Sequence, residues 1–276
     1  MNAEKEGREA AEKFRLQHNL ENQPLGDLIA LVEQTTGHDV AVLDVDRDEH
    51  GLTMTDPARN VTFIGIARTR NPMRQRSTLA HELAHVLFKD RQSTNNLSTR
   101  SHAEIRADAF ARHLLTPEKG LTQFLDNKKE LSDSDLSSVV QHFLVSPALA
   151  TIAIHSAGYI SDVTKNRWMQ ISTPQLAIRF GWNDQYRALQ NSSDYTRPPQ
   201  RLLARAIEGY AEGVISLQTL ATLRGTAIEV VQEDIASAGI TPEHITIPQI
   251  DADYLSSTPI DWDDIYGNSI PQDSIQ

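Results

Sequence analysis

Apolar positions recur at helical spacing through the first 36 residues, and the period changes after them. Residues 3–17 and 24–36 read as two helices. In the second, Leu25, Leu28, Ile29, Leu31 and Val32 form one stripe, and Gly37 stands just past its end. Short β signals follow at residues 40–43, 51–55 and 61–66. Asp56-Pro57-Ala58-Arg59-Asn60 supplies turn chemistry for a hairpin between the last two. Helical spacing returns at Asn71-Pro72, an N-cap with proline at the first helical position. That helix runs to about Phe88, with Leu79, Leu83, Val86 and Leu87 as its buried stripe. A polar loop over 89–100 leads to a second helix, about 101–115, stopped by Thr116-Pro117. The remainder reads as helices near 133–143, 147–157, 173–180, 184–190, 198–213, 217–223 and 227–238. Beyond Ile240 the chain is rich in Pro, Ser and Asp and has no helical period, the mark of an extended or partly disordered tail. The pattern predicts an α+β fold: N-terminal helices, a small antiparallel or mixed sheet, a pair of helices, then an all-helical C-terminal part.

One pattern repeats. Leu136, Val139, Val140, Leu149, Ala157 and Gly158 return 81 residues later as Leu217, Leu220, Ala221, Val230, Ala238 and Gly239. Two copies of a helix-turn-helix-like unit give this pattern, as does any pair of helical hairpins with a common stripe.

Composition narrows what such a chain can do. None of the 276 residues is a cysteine, which excludes a disulfide framework, thiol catalysis and Cys-ligated metal. A metal must therefore be held by His and carboxylates. The 26 basic and 37 acidic residues leave −11, which argues against a chain that binds nucleic acid by electrostatics alone. The first 240 residues hold every basic residue and 30 of the acidic ones, a balance of −4, so the acidity is mostly a property of the tail. The N-terminal run with Glu4, Glu6, Glu9 and Glu12 is no signal peptide. The most apolar stretch, 139–160, is interrupted by Gln141, His142, Pro147 and His155, so no membrane span is expected. A soluble cytoplasmic protein is the expectation.

The chemistry concentrates in Thr78-Leu-Ala-His81-Glu82-Leu-Ala-His85. Two histidines four apart on a helix project from one face about a turn apart, where both ring nitrogens can grip one zinc ion at ~2.0–2.1 Å. Glu82 lies beside the first of them, in the general-base position of the H-E-x-x-H metallopeptidases. With 10 His and 16 Glu, chance gives the pattern in roughly two chains per hundred. The plain alternative is a surface helix with two uninvolved histidines. Its apolar setting counts against that, because imidazoles and a carboxylate beside a core face cost several kcal/mol without partners.

A catalytic zinc needs a third protein ligand and an open position. Glu104, on the next helix, is the best candidate. Asp108, one turn on, can accept the free N–H of His81 or His85 and fix the ring. Ser101-His-Ala-Glu104 also fits a capping box, the competing explanation for Glu104. His102 is a further candidate, and His113, near the opposite face, reads as structural. With His81, His85 and Glu104 around one zinc per chain, the chemistry is metal-assisted hydrolysis, Glu82 taking the proton of a water and delivering it to the leaving amine. An oxyanion donor is expected; His155, Tyr159 and Tyr186 are possible. The strand over 61–66 is read as an edge to which an extended substrate adds in β-fashion.

The segments Arg76-Ser-Thr-Leu-Ala-His81-Glu82-Leu-Ala-His85 and Glu104-Ile-Arg-Ala-Asp108-Ala-Phe110-Ala-Arg-His-Leu-Leu-Thr-Pro117 together resemble the ImmA/IrrE family of metallopeptidases. Phe143-Leu-Val145-Ser146-Pro-Ala148-Leu-Ala, ending in Ala-Gly158, matches the helical unit that follows in that family. The resemblance covers roughly residues 25–160. One departure is Ser77, where the family usually has an aromatic residue. The resemblance implies a zinc endopeptidase with a thermolysin-like zinc-helix arrangement, with His81, His85 and Glu104 as ligands and Glu82 as base. It also implies a helix-turn-helix transcriptional repressor as substrate, in mobile-element or phage induction, stress regulation or toxin–antitoxin control.

The expected layout is a zinc metallopeptidase domain at 1–125 with a helix-turn-helix-like unit packed on it at 126–165. A helical C-terminal domain at 166–240 and an acidic tail at 241–276 complete it. Residues 215–239 could read DNA or dock a repressor. Arg197, Arg201, Arg205 and Arg224 lie nearby, but so do Glu208, Glu212, Glu229, Glu233 and Asp234. No basic stripe emerges, so helical packing or protein docking is preferred over base readout. The alternative to an enzyme is a non-catalytic, antitoxin-like interaction protein with a structural or vestigial metal site. An intact Glu82 favours the enzyme, since a structural site has no need of it.

Overall fold

A computed structural model describes residues 2–45, 51–59, 61–90, 101–126 and 128–243. The polar loop over 91–100 and the tail over 244–276 lie outside them. Among the described residues the fold is α+β. Helices α1 (Ala3–Gln17) and α2 (Leu28–Thr36) precede strands β1 (Asp39–Leu43), β2 (Gly51–Asp56) and β3 (Val61–Ala67). The helix pair α3 (Pro72–Phe88) and α4 (His102–Leu115) follows. Then come α5 (Glu118–Leu125), α6 (Asp133–Phe143), α7 (Pro147–Ser156), α8 (Asp162–Trp168), α9 (Thr173–Arg179) and α10 (Asn183–Ser193). The last three are α11 (Gln200–Ala211), α12 (Leu217–Arg224) and α13 (Ile228–Ser237).

The second helix starts at Leu28 rather than 24, for a local reason. Asp27 caps it, its carboxylate accepting from Ala30 N–H at 3.0 Å. The preceding segment is held as a loop by the buried Arg15, whose guanidinium donates to the carbonyls of Leu20, Glu21, Gln23 and Leu114. No carboxylate meets this cation in those bonds, and burial lowers its pKa to about 10. α1 lies along α4, and Gly7 permits the close approach: a Cβ there would stand 2.3 Å from the Arg106 carbonyl oxygen.

The sheet is mixed, in the order β1-β3-β2, with β1 parallel and β2 antiparallel to β3. The hairpin is present. The strand over 61–66 is not an edge, however. It is central, which explains its nearly continuous apolar run. Residue 197 covers the outer side of β1, where Val42 and Arg197 exchange backbone bonds of 2.8 and 3.0 Å. β2 pairs with β3 alone, and its other side meets no strand among the described residues.

Leu79 and Leu83 of α3 are buried as expected, but Leu87, in its last turn, is 40% exposed. Two helices escape the sequence pattern. Thr116-Pro117 ends α4 but also starts α5, with Pro117 as its N-cap. α8 is a single short segment capped by Ser161 and anchored by the fully buried Trp168, whose Nε1 donates to Asp133 at 2.8 Å.

One core cluster gathers side chains from Ala11 in α1 to Tyr186 in α10, and a smaller one joins α11, α12 and α13 through Ala206, Leu220, Ala221, Val231 and Ile235. The repeat survives in three dimensions. Val139 and Val140 correspond to Leu220 and Ala221, and Ala150 and Ile154 to Val231 and Ile235, all buried. The intervening turns share a left-handed residue, Leu144 at φ 54° and Gly225 at φ 62°. The buried register sits one residue after the Leu149 and Val230 of the sequence pattern. Among the described residues no single helix is long and apolar enough to cross a membrane.

Candidate metal centre

α3 and α4 bring the site together. α3 puts His81 and His85 on one face, with Nε2 atoms 3.0 Å apart and rings 4.7 Å apart. Glu104, in the first turn of α4, places its two carboxylate oxygens 3.2 Å from His81 Nε2 and 3.5 Å from His85 Nε2. The capping explanation for Glu104 holds for its backbone alone. Its N–H donates to Ser101 Oγ at 3.2 Å, while its side chain turns to the histidines.

The other nitrogen of each ring meets a carboxylate. His81 Nδ1 lies 3.0 Å from Asp108 Oδ1, and His85 Nδ1 lies 3.0 Å from Asp90 Oδ2. A carboxylate only accepts, so each Nδ1 carries the hydrogen and each Nε2 of a neutral ring presents a lone pair. Two lone pairs and a carboxylate therefore converge on one point, a repulsive arrangement that a cation relieves. The spacings also suit one: tetrahedral ligands at zinc's ordinary bond lengths stand about 3.3 Å apart. His81, His85 and Glu104 thus fit a divalent metal.

Of the two rings the sequence left open to Asp108, the structure pairs it with His81. Asp90 does not follow from the helical pattern, because it lies just past the C-cap of α3. His102 and His113 pair elsewhere, with Glu6 at 3.6 Å and Glu4 at 3.2 Å. Burial, aided by the nearby charge of Arg112, lowers the pKa of His113 below its ordinary 6.5.

Glu82 projects from α3 toward β2. Its Oε2 accepts from Thr53 Oγ1 at 2.8 Å, and Gly51 lies so close that a Cβ there would stand 2.5 Å from Oε1. Neither Gly51 nor Thr53 carries a sequence signal for this role; only the β2–α3 packing reveals it. His81, Glu104 and Glu82 line a cleft of about 600 Å³. Gly51, Arg74, Thr78, Arg112 and the apolar Leu149 and Ile152 of α7 help line it. His155, Tyr159 and Tyr186 do not: His155 pairs with Asp162 at 3.0 Å, and Tyr186 is buried against Trp182.

Three of the four arginines near α11–α13 meet carboxylates. Arg197 pairs with Asp27 at 3.2 Å, Arg201 with Asp39 at 2.9 Å and Arg224 with Asp234 at 2.5 Å. No curated protein matches the chain. Its sequence does match the family model of the IrrE N-terminal-like domain, Peptidase_M78, over the span that holds the whole triad, Glu82 and both carboxylates behind the rings. The match runs over residues 34–155 and agrees with the resemblance of the sequence motifs to the ImmA/IrrE peptidases.

Proposed function

We propose that the chain is a zinc-dependent endopeptidase in which His81, His85 and Glu104 hold one zinc and Glu82 is the general base. The observation that carries this reading is the position of Glu82. It stands beside the triad, its carboxylate directed to the cleft rather than to either histidine, and Thr53 steadies one oxygen. A structural metal site has no use for such a group. When bound, zinc supplies a Lewis acid that polarises the scissile carbonyl and acidifies a water. The remaining work falls to the chain. Oε2 is occupied by the Thr53 hydroxyl, so Oε1 is the oxygen that takes the proton from the attacking water and returns it to the leaving amine. Asp108 and Asp90 fix the two imidazoles in the tautomer that points Nε2 inward. The open edge of β2, beside Glu82, can pair with an extended stretch of substrate, and Leu149 and Ile152 offer an apolar wall for a side chain.

The proposed substrate is an intracellular protein, a helix-turn-helix transcriptional repressor. That choice rests on the family resemblance, and the cytoplasm is the compartment it requires. The paired arginines around α11–α13 support protein docking over DNA readout.

Glu82→Gln and Glu104→Ala together test the reading. Elemental analysis should find about one zinc per wild-type chain and per Glu82→Gln chain, and much less in Glu104→Ala. Cleavage of a repressor should disappear in Glu82→Gln. Persistent cleavage there removes Glu82 from the mechanism, and a wild type that takes up no zinc at neutral pH removes the enzyme reading.

A further inference from the structure

We infer that Asp90, held by Arg106, is the positioning residue for the second histidine of the triad; the inference rests on the metal reading of that triad. Asp90 grips His85 twice. Its backbone N–H donates to the carbonyl of His85 at 2.9 Å, and its Oδ2 accepts from His85 Nδ1 at 3.0 Å. The first contact depends on the chain reversing at once after α3. Lys89 makes that reversal in the left-handed region, φ 55°, an unfavourable conformation for a residue with a side chain. The turn brings Asp90 back along the helix it has just left.

The other oxygen of Asp90 belongs to Arg106. Arg106 Nη2 donates to Asp90 Oδ1 at 2.5 Å and Nη1 to Glu6 Oε2 at 3.3 Å, and the guanidinium lies 3.9 Å from the centre of the Phe88 ring. Asp90 and Arg106 are each less than one-fifth exposed. One helix, α4, thus supplies the ligand Glu104, the carboxylate behind His81 and the cation that fixes the carboxylate behind His85. Arg106 has a second effect. By pairing one oxygen it leaves Asp90 a single direction in which to accept, toward Nδ1 of His85. The His85 ring therefore has one orientation, with Nε2 toward Glu104, before any metal arrives.

The experiment is zinc affinity, measured by competition with a chromophoric chelator, in the full chain. Absorption of the Co(II)-substituted protein and thermal unfolding of the metal-free protein accompany it. Asp90→Ala should bind zinc about 10- to 100-fold more weakly, with an altered Co(II) spectrum, and its metal-free midpoint should fall about as far as that of Arg106→Met, which breaks the same ion pair. Arg106→Met keeps the stem on Phe88 and touches no ligand, and should weaken binding several-fold. Where Asp90→Ala fails to fold without metal, Asp90→Asn decides. One amide oxygen then serves two donors, so either His85 or Arg106 loses its acceptor, and a several-fold weaker zinc site supports the assignment. Wild-type zinc affinity in the deciding variant overturns the inference and leaves the metal reading standing. A wild type that binds no zinc overturns both.

Discussion

Replacing Gly51 by alanine should separate the base from the rest of the site. A Cβ at that position would lie 2.5 Å from Glu82 Oε1, 2.6 Å from its Cγ and 2.7 Å from its Cδ. Ordinary contact begins at 3.4 Å, so the carboxylate must move by about 0.9 Å. It is the end of a flexible side chain in an open cleft, so it moves and the backbone does not. Gly51 does not occupy a left-handed conformation, so alanine fits the strand and stiffens the unfolded chain, worth about 0.4–1 kcal/mol of added stability. Catalysis pays instead. A misplacement of about 1 Å costs on the order of 10²-fold, and the Thr53 bond lost with it is a charged hydrogen bond worth about 1.5–3 kcal/mol. The expected outcome is a kcat/KM lower by about 10- to 100-fold, with the zinc content of wild type and a thermal midpoint a little below it, since the lost Thr53 bond outweighs the stiffer unfolded chain. The assay is cleavage of a protein or peptide that wild type cuts, with metal analysis on the same samples. A Gly51→Ala enzyme with wild-type kcat/KM would refute the placement of Glu82 against β2. Loss of zinc in step with activity would show that the substitution disturbs the triad and not the base alone.

Two other predictions concern the scaffold. Arg76 donates to the carbonyls of Leu25, Gly26 and Leu144 at 2.7, 2.6 and 3.2 Å, and burial lowers its pKa to about 10. Arg76→Met should cost about 3 kcal/mol by leaving these oxygens unpaired. The thermal midpoint should then drop by roughly 6–12 °C, Lys should not rescue it for want of the fork, and an unchanged midpoint would show the clamp to be dispensable. The second concerns pH. Burial lowers the pKa of His38, His113 and His142 below 6.5, with Arg201 adding to the effect at His38 and Arg112 at His113. The unfolded chain then binds more protons below about pH 6.5, so the stability from these neutral rings is complete above that pH and is lost as pH falls. The urea midpoint of metal-free protein should fall between about pH 7.5 and 5.5, and fall less in His113→Gln, whose amide can still donate to Glu4. A drop of equal size in that variant excludes His113 as a contributor.

What the sequence reveals and what it hides divide along a physical line. Elements with a long periodic stripe are legible: α1, α6 and the helix pair α3–α4 fall where the pattern puts them, because each buries one face against a continuous core. Elements whose stability comes from one anchor are not. α8 depends on Trp168 reaching Asp133, and α5 begins on the very proline that reads as a stop. The start of α2 is misjudged because Arg76, remote in the chain, takes the carbonyls of Leu25 and Gly26 that a longer helix would have used. Strand order is beyond any periodicity: only the pairing of 61–67 with both neighbours shows that, among the described residues, 51–56 is an outer strand.

The same line runs through the candidate site. His81, Glu82, His85, Glu104 and Asp108 are legible because the constraint on them is helical: i, i+1 and i+4 on one helix, i and i+4 on the next. Asp90, Gly51 and Thr53 are bound by no such spacing. Asp90 acts through a reversal at Lys89 that a non-glycine residue hides, and Gly51 acts through the side chain it lacks. The legible residues are the groups that chemistry demands, whereas the hidden ones restrict how those groups can move. A triad without Asp90 and Arg106 has the right atoms with one ring free to turn. A base without Gly51 and Thr53 has the right carboxylate with no fixed address. If the Asp90 and Gly51 variants behave as expected, one losing metal and the other losing turnover with the metal kept, then these two supports act on separate parts of the site. The proposed metal triad would then be held from the C-terminal end of α3, and the proposed base from the edge of the sheet.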